Sequence, residues 1–190
     1  MVERGTKWRQ RSAAIRESLL ISPTYSPWTR RNEFQGLGIP HTQRVLDLLN
    51  VVTAERLYSL EIPFSARDSQ IEEAMAESFV DVSQSHDRRP CSHQHGCLPT
   101  VTTSTLLYSF SKDSVVLPQE LFMLHGFPRH MAIPPGMTQS NFRSMVGNGM
   151  CAPSLAQSLG ALFVSFALKS RNREASTTVI DVLDSESDSN

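Results

Sequence analysis

Five side chains of the types that ligate metals crowd one polar stretch of the chain. They fall within twelve residues and are His86, Cys91, His93, His95 and Cys97. Imidazole and thiolate are the preferred ligands of Zn²⁺. The order Cys-x-His-x-His-x-Cys nevertheless lacks the usual paired spacing, and only Cys151 offers a further thiolate elsewhere. We therefore expect a variable polar loop without a metal site, with zinc binding as the alternative.

The segment Gly147-Asn148-Gly149 has residue types that suit contact with a ligand. Glycine has no Cβ, so the backbone can approach a bound molecule closely. The Asn148 amide can both donate and accept hydrogen bonds.

Apolar spacing predicts the elements that position these residues. A helix is expected from His41, with a break near Thr53, and a second short helix over Ser69–Glu77. The β-branched stretch Thr100–Phe110 predicts a strand that pairs with Val115–Leu117 across a turn. The apolar residues that define the first helix are Val45, Leu48, Leu49 and Val52.

Three helices are predicted further on. The first begins at Pro118 and stops at Gly126, and the second runs from Thr138 to just before Gly147. The third begins at Pro153 and carries one apolar stripe, which indicates that it docks on something. The stripe consists of Leu155, Leu159, Leu162, Phe163 and Phe166.

Composition limits the classes of protein. The net charge is -1, so there is no global basic field for nucleic acid. Residues 1–44 carry eight basic side chains against three acidic ones, and residues 174–190 are acidic; we read both as solvated ends. No leader-like or membrane-spanning apolar run is present, and three cysteines suggest reduced thiols. We expect a nuclear or cytoplasmic protein that is not secreted and not in a membrane.

Two segments resemble the C-terminal end of the DNA cytosine-5 methyltransferases. Leu117–Pro128 (LPQELFMLHGFP) is similar to motif IX, and Val146–Gly160 (VGNGMCAPSLAQSLG) is similar to motif X. Upstream, Leu98–Ser104 (LPTVTTS) resembles the stretch by which the target-recognition region returns to the catalytic domain, and Phe79–Ser85 resembles part of the same return. Order and spacing match the family, and the likeness covers under half of the chain.

The resemblance implies a ligand and a partner. Asn148, Gly149 and Met150 would line the edge of the S-adenosylmethionine pocket, and the Pro153 helix would pack on a central sheet. DNA would be the partner that is modified.

The groups that the family uses for catalysis are not recognisable. No Glu-Asn-Val or Gln-x-Arg-x-Arg occurs, and Pro90-Cys91 is followed by Ser92 instead of glutamine. Cys91 also lies only 27 residues before Pro118, too few for the later catalytic strands. The segment Phe34–Gly38 matches the donor-binding Phe-x-Gly-x-Gly turn as letters, but no buried strand is expected before it. We assign no catalytic residue.

The tail carries a second motif. Val179, Ile180 and Val182 followed by acidic residues are similar to a SUMO-interacting motif, which binds by strand addition. Its acidic and phosphorylatable flank would set orientation and affinity.

These observations predict an α+β fold: an incomplete methyltransferase C-terminal lobe, mostly short helices with a small β-hairpin and disordered termini. We expect a basic, weakly structured lead over 1–40. Residues 41–97 would be a helical segment and polar His/Cys loop, a remnant of the target-recognition region. The lobe itself would span 98–170, and an acidic tail 171–190.

The function that the resemblance implies is that of a fragment or degenerate homologue of an S-adenosylmethionine-dependent DNA (cytosine-5) methyltransferase. It would be inactive alone and would act with a complementary methyltransferase chain. The alternative is a non-enzymatic interaction protein that reuses the lobe and binds SUMO through its tail.

Overall fold

The computed structural model describes residues 3–88, 90–93, 98–129, 135–149 and 155–167. The elements of these ranges are α1 (Glu3–Ser18), α2 (Gln43–Ser59), α3 (Asp68–Met75), β1 (Phe79–Asp81), a 3-10 turn (His86–Arg88), β2 (Cys91–Ser92), β3 (Leu107–Ser109), β4 (Ser114–Val115), α4 (Pro118–Leu124), α5 (Gln139–Asn148) and α6 (155–167). The strands form one antiparallel sheet in the order β2-β1-β3-β4. The predicted α+β class, with short helices and a small hairpin, is confirmed.

Among the described residues, 3–121 and 135–148 form one unit, and 122–129, 149 and 155–167 form another. None of the helices in these ranges has the length and apolar character needed to cross a membrane.

The first unit is built on α2. Thr42 caps this helix by accepting a hydrogen bond from the Val45 backbone N–H (3.4 Å). The break expected near Thr53 is wrong, because the buried Thr53 hydroxyl donates to the Leu49 carbonyl (2.8 Å) and the helix continues to Ser59. Its apolar face joins the sheet and α3 in one core cluster of Trp28, Ile39, Val45, Leu48, Leu49, Val52, Leu57, Ile71, Met75, Val80, Val82, Tyr108 and Phe110.

The lead is structured over the described residues 3–40, contrary to expectation. Residues Glu3–Ser18 form α1, which is docked on α2 by the buried Arg16. Its guanidinium donates to the Asp47 carboxylate (2.8 Å) and to the Tyr25 carbonyl (2.6 Å). Trp28, 1% exposed, then enters the core. Apolar periodicity did not predict α1, because a charged side chain, Arg16, fastens this helix to α2.

The hairpin predicted between Thr100–Phe110 and Val115–Leu117 is confirmed in part. Tyr108 pairs with Val115, and Ser109 pairs with Ser114. The first strand is shorter than predicted, since residues 102–105 form a turn. There the Thr105 N–H donates to the Thr102 carbonyl (3.1 Å) and the Thr102 N–H donates to the Thr105 hydroxyl (2.7 Å).

A buried carboxylate joins that turn to β1. Asp81, 1% exposed, accepts hydrogen bonds from the backbone N–H groups of Ser83 and Leu106, both at 3.0 Å. It also accepts from the hydroxyls of Ser83 (2.6 Å) and Thr105 (3.1 Å). Four donors satisfy the buried charge, so Asp81 holds the Thr102–Thr105 turn against the end of the strand.

In the second unit the chain after α4 turns sharply at Gly126, as predicted. Gly126 has φ +86°, a conformation that glycine adopts without strain. The Phe127 N–H donates to the Phe122 carbonyl (3.1 Å), and the two rings lie 4.7 Å apart. This is the helix end expected from the Gly-Phe-Pro sequence.

Candidate functional site

The Gly-Asn pair of the motif X-like segment lies at the end of α5. The Thr138 hydroxyl accepts from the Asn141 N–H (3.2 Å) and begins this helix. The predicted end before Gly147 is two residues too early, since Asn148 is the last helical residue. Asn148 and Gly149 are exposed, and Met150 lies outside the described residues. Gly147 and Asn148 therefore belong to a helical turn, and the loop begins only at Gly149.

Gly147 lies very close to the backbone of the Thr102–Thr105 turn. A Cβ on Gly147 would lie 2.2 Å from both the Thr102 carbonyl carbon and the Thr103 nitrogen. No side chain fits there, so α5 packs on the Thr102–Thr105 turn backbone against backbone. We call this contact the glycine seam. It joins Leu98–Ser104, which resembles the return of the target-recognition region, to the segment resembling motif X.

The glutamate of the motif IX-like segment caps α4. Pro118 is the first helical residue, and Glu120 reaches back to accept from the Leu117 N–H (2.9 Å), as in a capping box. Lys112 forms an ion pair with the same carboxylate. Burial alone raises the pKa of Glu120, but the hydrogen bonds from Lys112 and the Leu117 N–H outweigh it and lower the pKa. The carboxylate is therefore structural in this chain.

In the Phe34–Gly38 segment, the backbone amides of Gln35, Gly36 and Leu37 are already engaged within the chain. Its backbone N–H groups at Gln35 (2.5 Å) and Gly36 (3.2 Å) donate to the carboxylate of Asp113. The residues before it form turns and no strand, as the sequence predicted. Its resemblance to a donor-binding turn is thus one of sequence and not of structure.

The described part of the His/Cys stretch lies at the edge of the sheet. Cys91, in β2, places its Sγ 3.5 Å from Nε2 and 3.8 Å from Nδ1 of His93. The His93 Nδ1 is hydrogen-bonded to the hydroxyl of buried Ser78 (2.8 Å). His95 and Cys97 lie outside the described residues. Within the described ranges no three His, Cys, Asp or Glu side chains converge as a metal-binding group.

Electrostatics keep this pair neutral. Burial, reinforced by Glu55, raises the pKa of the Cys91 thiol, with Arg56 opposing. Burial and Arg56 lower the pKa of His93 to about 4, against the opposite pull of Glu55. A nucleophilic cysteine needs a lowered pKa. Cys91 therefore lacks the activation that attack on a cytosine ring requires.

An open cavity of about 500 Å³ adjoins the pair and is lined also by Glu55 and His86. The His86 Nε2 is hydrogen-bonded to Glu55 Oε2 (2.7 Å), while its buried Nδ1 has no hydrogen-bond partner.

The predicted apolar stripe of α6 is exposed. The fractional exposure of its members runs from 42% at Leu155 to 67% at Phe163. The predicted helix start, Pro153, lies outside the described residues.

Comparison with known proteins finds no match: no family model, curated protein or solved structure aligns with this chain. The structure defines an α+β fold in which α5 contacts the Thr102–Thr105 turn at the glycine seam.

Proposed function

We propose that this chain is a C-terminal fragment or degenerate homologue of an S-adenosylmethionine-dependent DNA (cytosine-5) methyltransferase, inactive alone. The glycine seam is the observation that carries the proposal. Four segments were matched to the family by sequence alone. Two of them, Leu98–Ser104 and Val146–Gly160, meet through a contact that only glycine at position 147 permits.

The chemistry supports inactivity in isolation. Cytosine-5 methylation needs a thiolate nucleophile and a pocket for a flipped base. In this chain the thiol nearest to the expected motif, Cys91, is held protonated by burial. A complementary chain would have to supply the nucleophile, the assisting glutamate and the first donor-binding turn.

The exposed stripe on α6 supports the same proposal. A helix with one apolar face is normally packed against another layer. The family's arrangement would cover it with a central parallel sheet, and the described residues contain only the small antiparallel one. The complementary chain would provide that sheet, and Asn148, Gly149 and Met150 would form one edge of the donor pocket on it. DNA would be the shared substrate, which favours a nuclear location.

Methyl-donor binding tests this proposal. We expect weak, saturable S-adenosylmethionine binding in equilibrium dialysis, no methyl transfer to DNA by the chain alone, and transfer when a half-enzyme with Pro-Cys-Gln and Glu-Asn-Val motifs is added. Asn148→Ala should weaken donor binding about tenfold or more, in line with loss of a hydrogen bond to a charged group. Asn141→Ala, on the exposed face of the same helix, is the matched control and should change nothing. Absence of donor binding with and without the half-enzyme would contradict the proposal.

The second candidate is a non-enzymatic interaction protein. The exposed α6 stripe favours it as well, because large exposed apolar patches mark binding surfaces. Its acidic tail would bind SUMO through Val179, Ile180 and Val182, which lie outside the described residues. Titration of the full chain with SUMO, beside a chain with all three replaced by alanine, tests it. Equal heat from both chains would exclude the tail as a binding segment.

A further inference from the structure

We propose that one side of α1 and the adjoining 3-10 turn bind the phosphate backbone of a nucleic-acid duplex without reading its sequence. The side chains concerned are Lys7, Arg9 and Arg11 of α1 and Arg88 of the turn, which we call the basic surface. The inference is independent of the methyltransferase proposal, since phosphate binding needs neither the methyl donor nor a pocket for a flipped base.

The charge of the chain is unevenly distributed. Residues 1–44 hold eight basic and three acidic side chains, whereas the rest of the chain holds ten basic and sixteen acidic ones. The sequence predicted that the basic end is solvated, but the structure folds it into α1, which docks on α2 and contacts the 3-10 turn. Docking fixes the cations on the fold, so a local positive field exists although the net charge is -1.

The cations follow one another from the helix to the turn. Lys7 and Arg11 are four residues apart, so they are neighbours on the surface of α1. The Arg11 Nε lies 3.3 Å from Oδ1 of Asp87, which precedes Arg88 in the turn. Asp87 thus orients Arg11 through Nε and leaves its terminal nitrogens uncovered. Together these side chains form a row that can contact successive phosphates of one strand.

The three arginines of the basic surface keep donors for a phosphate. Arg9 donates from one terminal nitrogen to the Gln43 side chain (3.2 Å), and Arg88 donates from one to the Gln84 side chain (3.3 Å). Arg11 is 52% exposed and uses its Nε alone in the ion pair. Each guanidinium is therefore held in place while further N–H groups can bind phosphate oxygens, the geometry for which arginine is suited.

The exposed side of α1 favours nucleic acid over a lipid surface. A helix that lies on a membrane buries large apolar side chains among the lipids. The exposed residues of α1 from Lys7 to Ser18 are charged, polar or alanine. The Trp8 ring is half-buried and lines a small cavity against α2, and the Arg9 guanidinium lies 5.4 Å from its centroid. The helix therefore presents charge to its surroundings and its aromatic ring to the protein.

Fluorescence anisotropy of a short labelled DNA duplex, titrated with the untagged full chain at several salt concentrations, tests the surface. Each neutralised phosphate contributes about -0.9 to the slope of log affinity against log salt, so four cations predict a slope of roughly -3.6. Two duplexes of unrelated sequence should give the same slope. Replacing both Lys7 and Arg11 by glutamine should lower its magnitude by about 1.8. Arg67→Gln, which removes an exposed arginine beside α3, is the matched control and should leave the slope unchanged.

A variant that adds a cation keeps the test decisive if a charge-removing variant misfolds. Ala14 is exposed three residues after Arg11 on the same side of α1, so Ala14→Lys should steepen the slope by about 0.9. An RNA duplex and vesicles of anionic lipid are titrated in parallel. Binding of either duplex with these slopes supports the inference. It is overturned by an absence of binding to both duplexes at low salt, by an equal effect of Arg67→Gln, by an unaltered slope in Ala14→Lys, or by binding of the vesicles alone.

Discussion

Replacing Gly147 by alanine should destabilise the first unit, against the ordinary trend for helices. Glycine inside a helix is less favourable than alanine by about 1 kcal/mol, so propensity alone predicts a gain. In the glycine seam, however, the added methyl carbon would lie 2.2 Å from backbone atoms of Thr102 and Thr103. Carbon atoms pack at about 3.5–4.0 Å, so the helix or the turn must move by more than ~1 Å.

The turn resists this movement. It is closed by two hydrogen bonds between Thr102 and Thr105 and is tied to buried Asp81. Overpacking a rigid site costs about 1–3 kcal/mol, and a clash with backbone belongs at the upper end. Subtracting the propensity gain leaves a net loss of about 2 kcal/mol in the free energy of unfolding.

Urea unfolding followed by the fluorescence of buried Trp28 measures this loss. Gly160→Ala is the matched control: nothing lies within 4 Å of its Cβ position in α6, so the substitution should increase helix content in circular dichroism. If Gly147→Ala were as stable as the parent or more stable, the close approach at the seam would be refuted.

Three further results are expected in urea unfolding. Asp81→Ala leaves its buried donors unpaired and should lower the free energy of unfolding by about 3 kcal/mol or more. Asp81→Asn keeps one acceptor and should lower it less. A loss below about 1 kcal/mol in the alanine variant contradicts the role of Asp81 in holding the turn. Tyr108→Phe removes the hydroxyl that accepts from the Trp28 indole N–H (2.8 Å). It should lower the free energy of unfolding by about 1–3 kcal/mol and shift the tryptophan emission. Unchanged emission and stability would contradict this hydrogen bond. The lowered pKa of Glu120 means that its stabilisation is present above the ordinary value of 4.5 and is lost as the pH falls through the lower folded value. Glu120→Gln should therefore flatten the dependence of stability on pH below about pH 4.5 while keeping the helix cap. An unaltered pH dependence would show that the Lys112–Glu120 ion pair does not stabilise the fold.

Local signals predicted the helices and the turn that depend on neighbours in sequence. Residues from Val45 to Val52 predicted α2 through their 3.6-residue spacing, and Pro118 and Gly126 marked the start and end of α4 and its turn. In each case the decisive interactions lie within a few residues. Thr53 misled the prediction because a polar residue in a core helix can satisfy its hydroxyl on its own backbone.

Contacts between distant segments were not predictable in this way. Arg16 reads as a surface charge until Asp47 and Tyr25 are placed beside it. Asp81 and Gly147 both contact the Thr102–Thr105 turn, and the residues next to them in sequence do not predict this contact. The Asp-x-Ser sequence at Asp81 did carry one local signal, because an aspartate often accepts from the N–H two residues later. The donor-pocket edge at Asn148, Gly149 and Met150 stays a prediction.

The position of the core cluster along the chain has a consequence for how the protein is made and how it changes. All members of the cluster lie between Trp28 and Phe110, before α4 begins. A ribosome would therefore release this cluster before it synthesised α4 and α5, which add the buried Leu121, Phe122, Phe142 and Val146. Substitutions at exposed positions of α4 and α5 are then filtered weakly by folding, whereas substitutions at the glycine seam are not. Those exposed positions could therefore vary while the domain still folded.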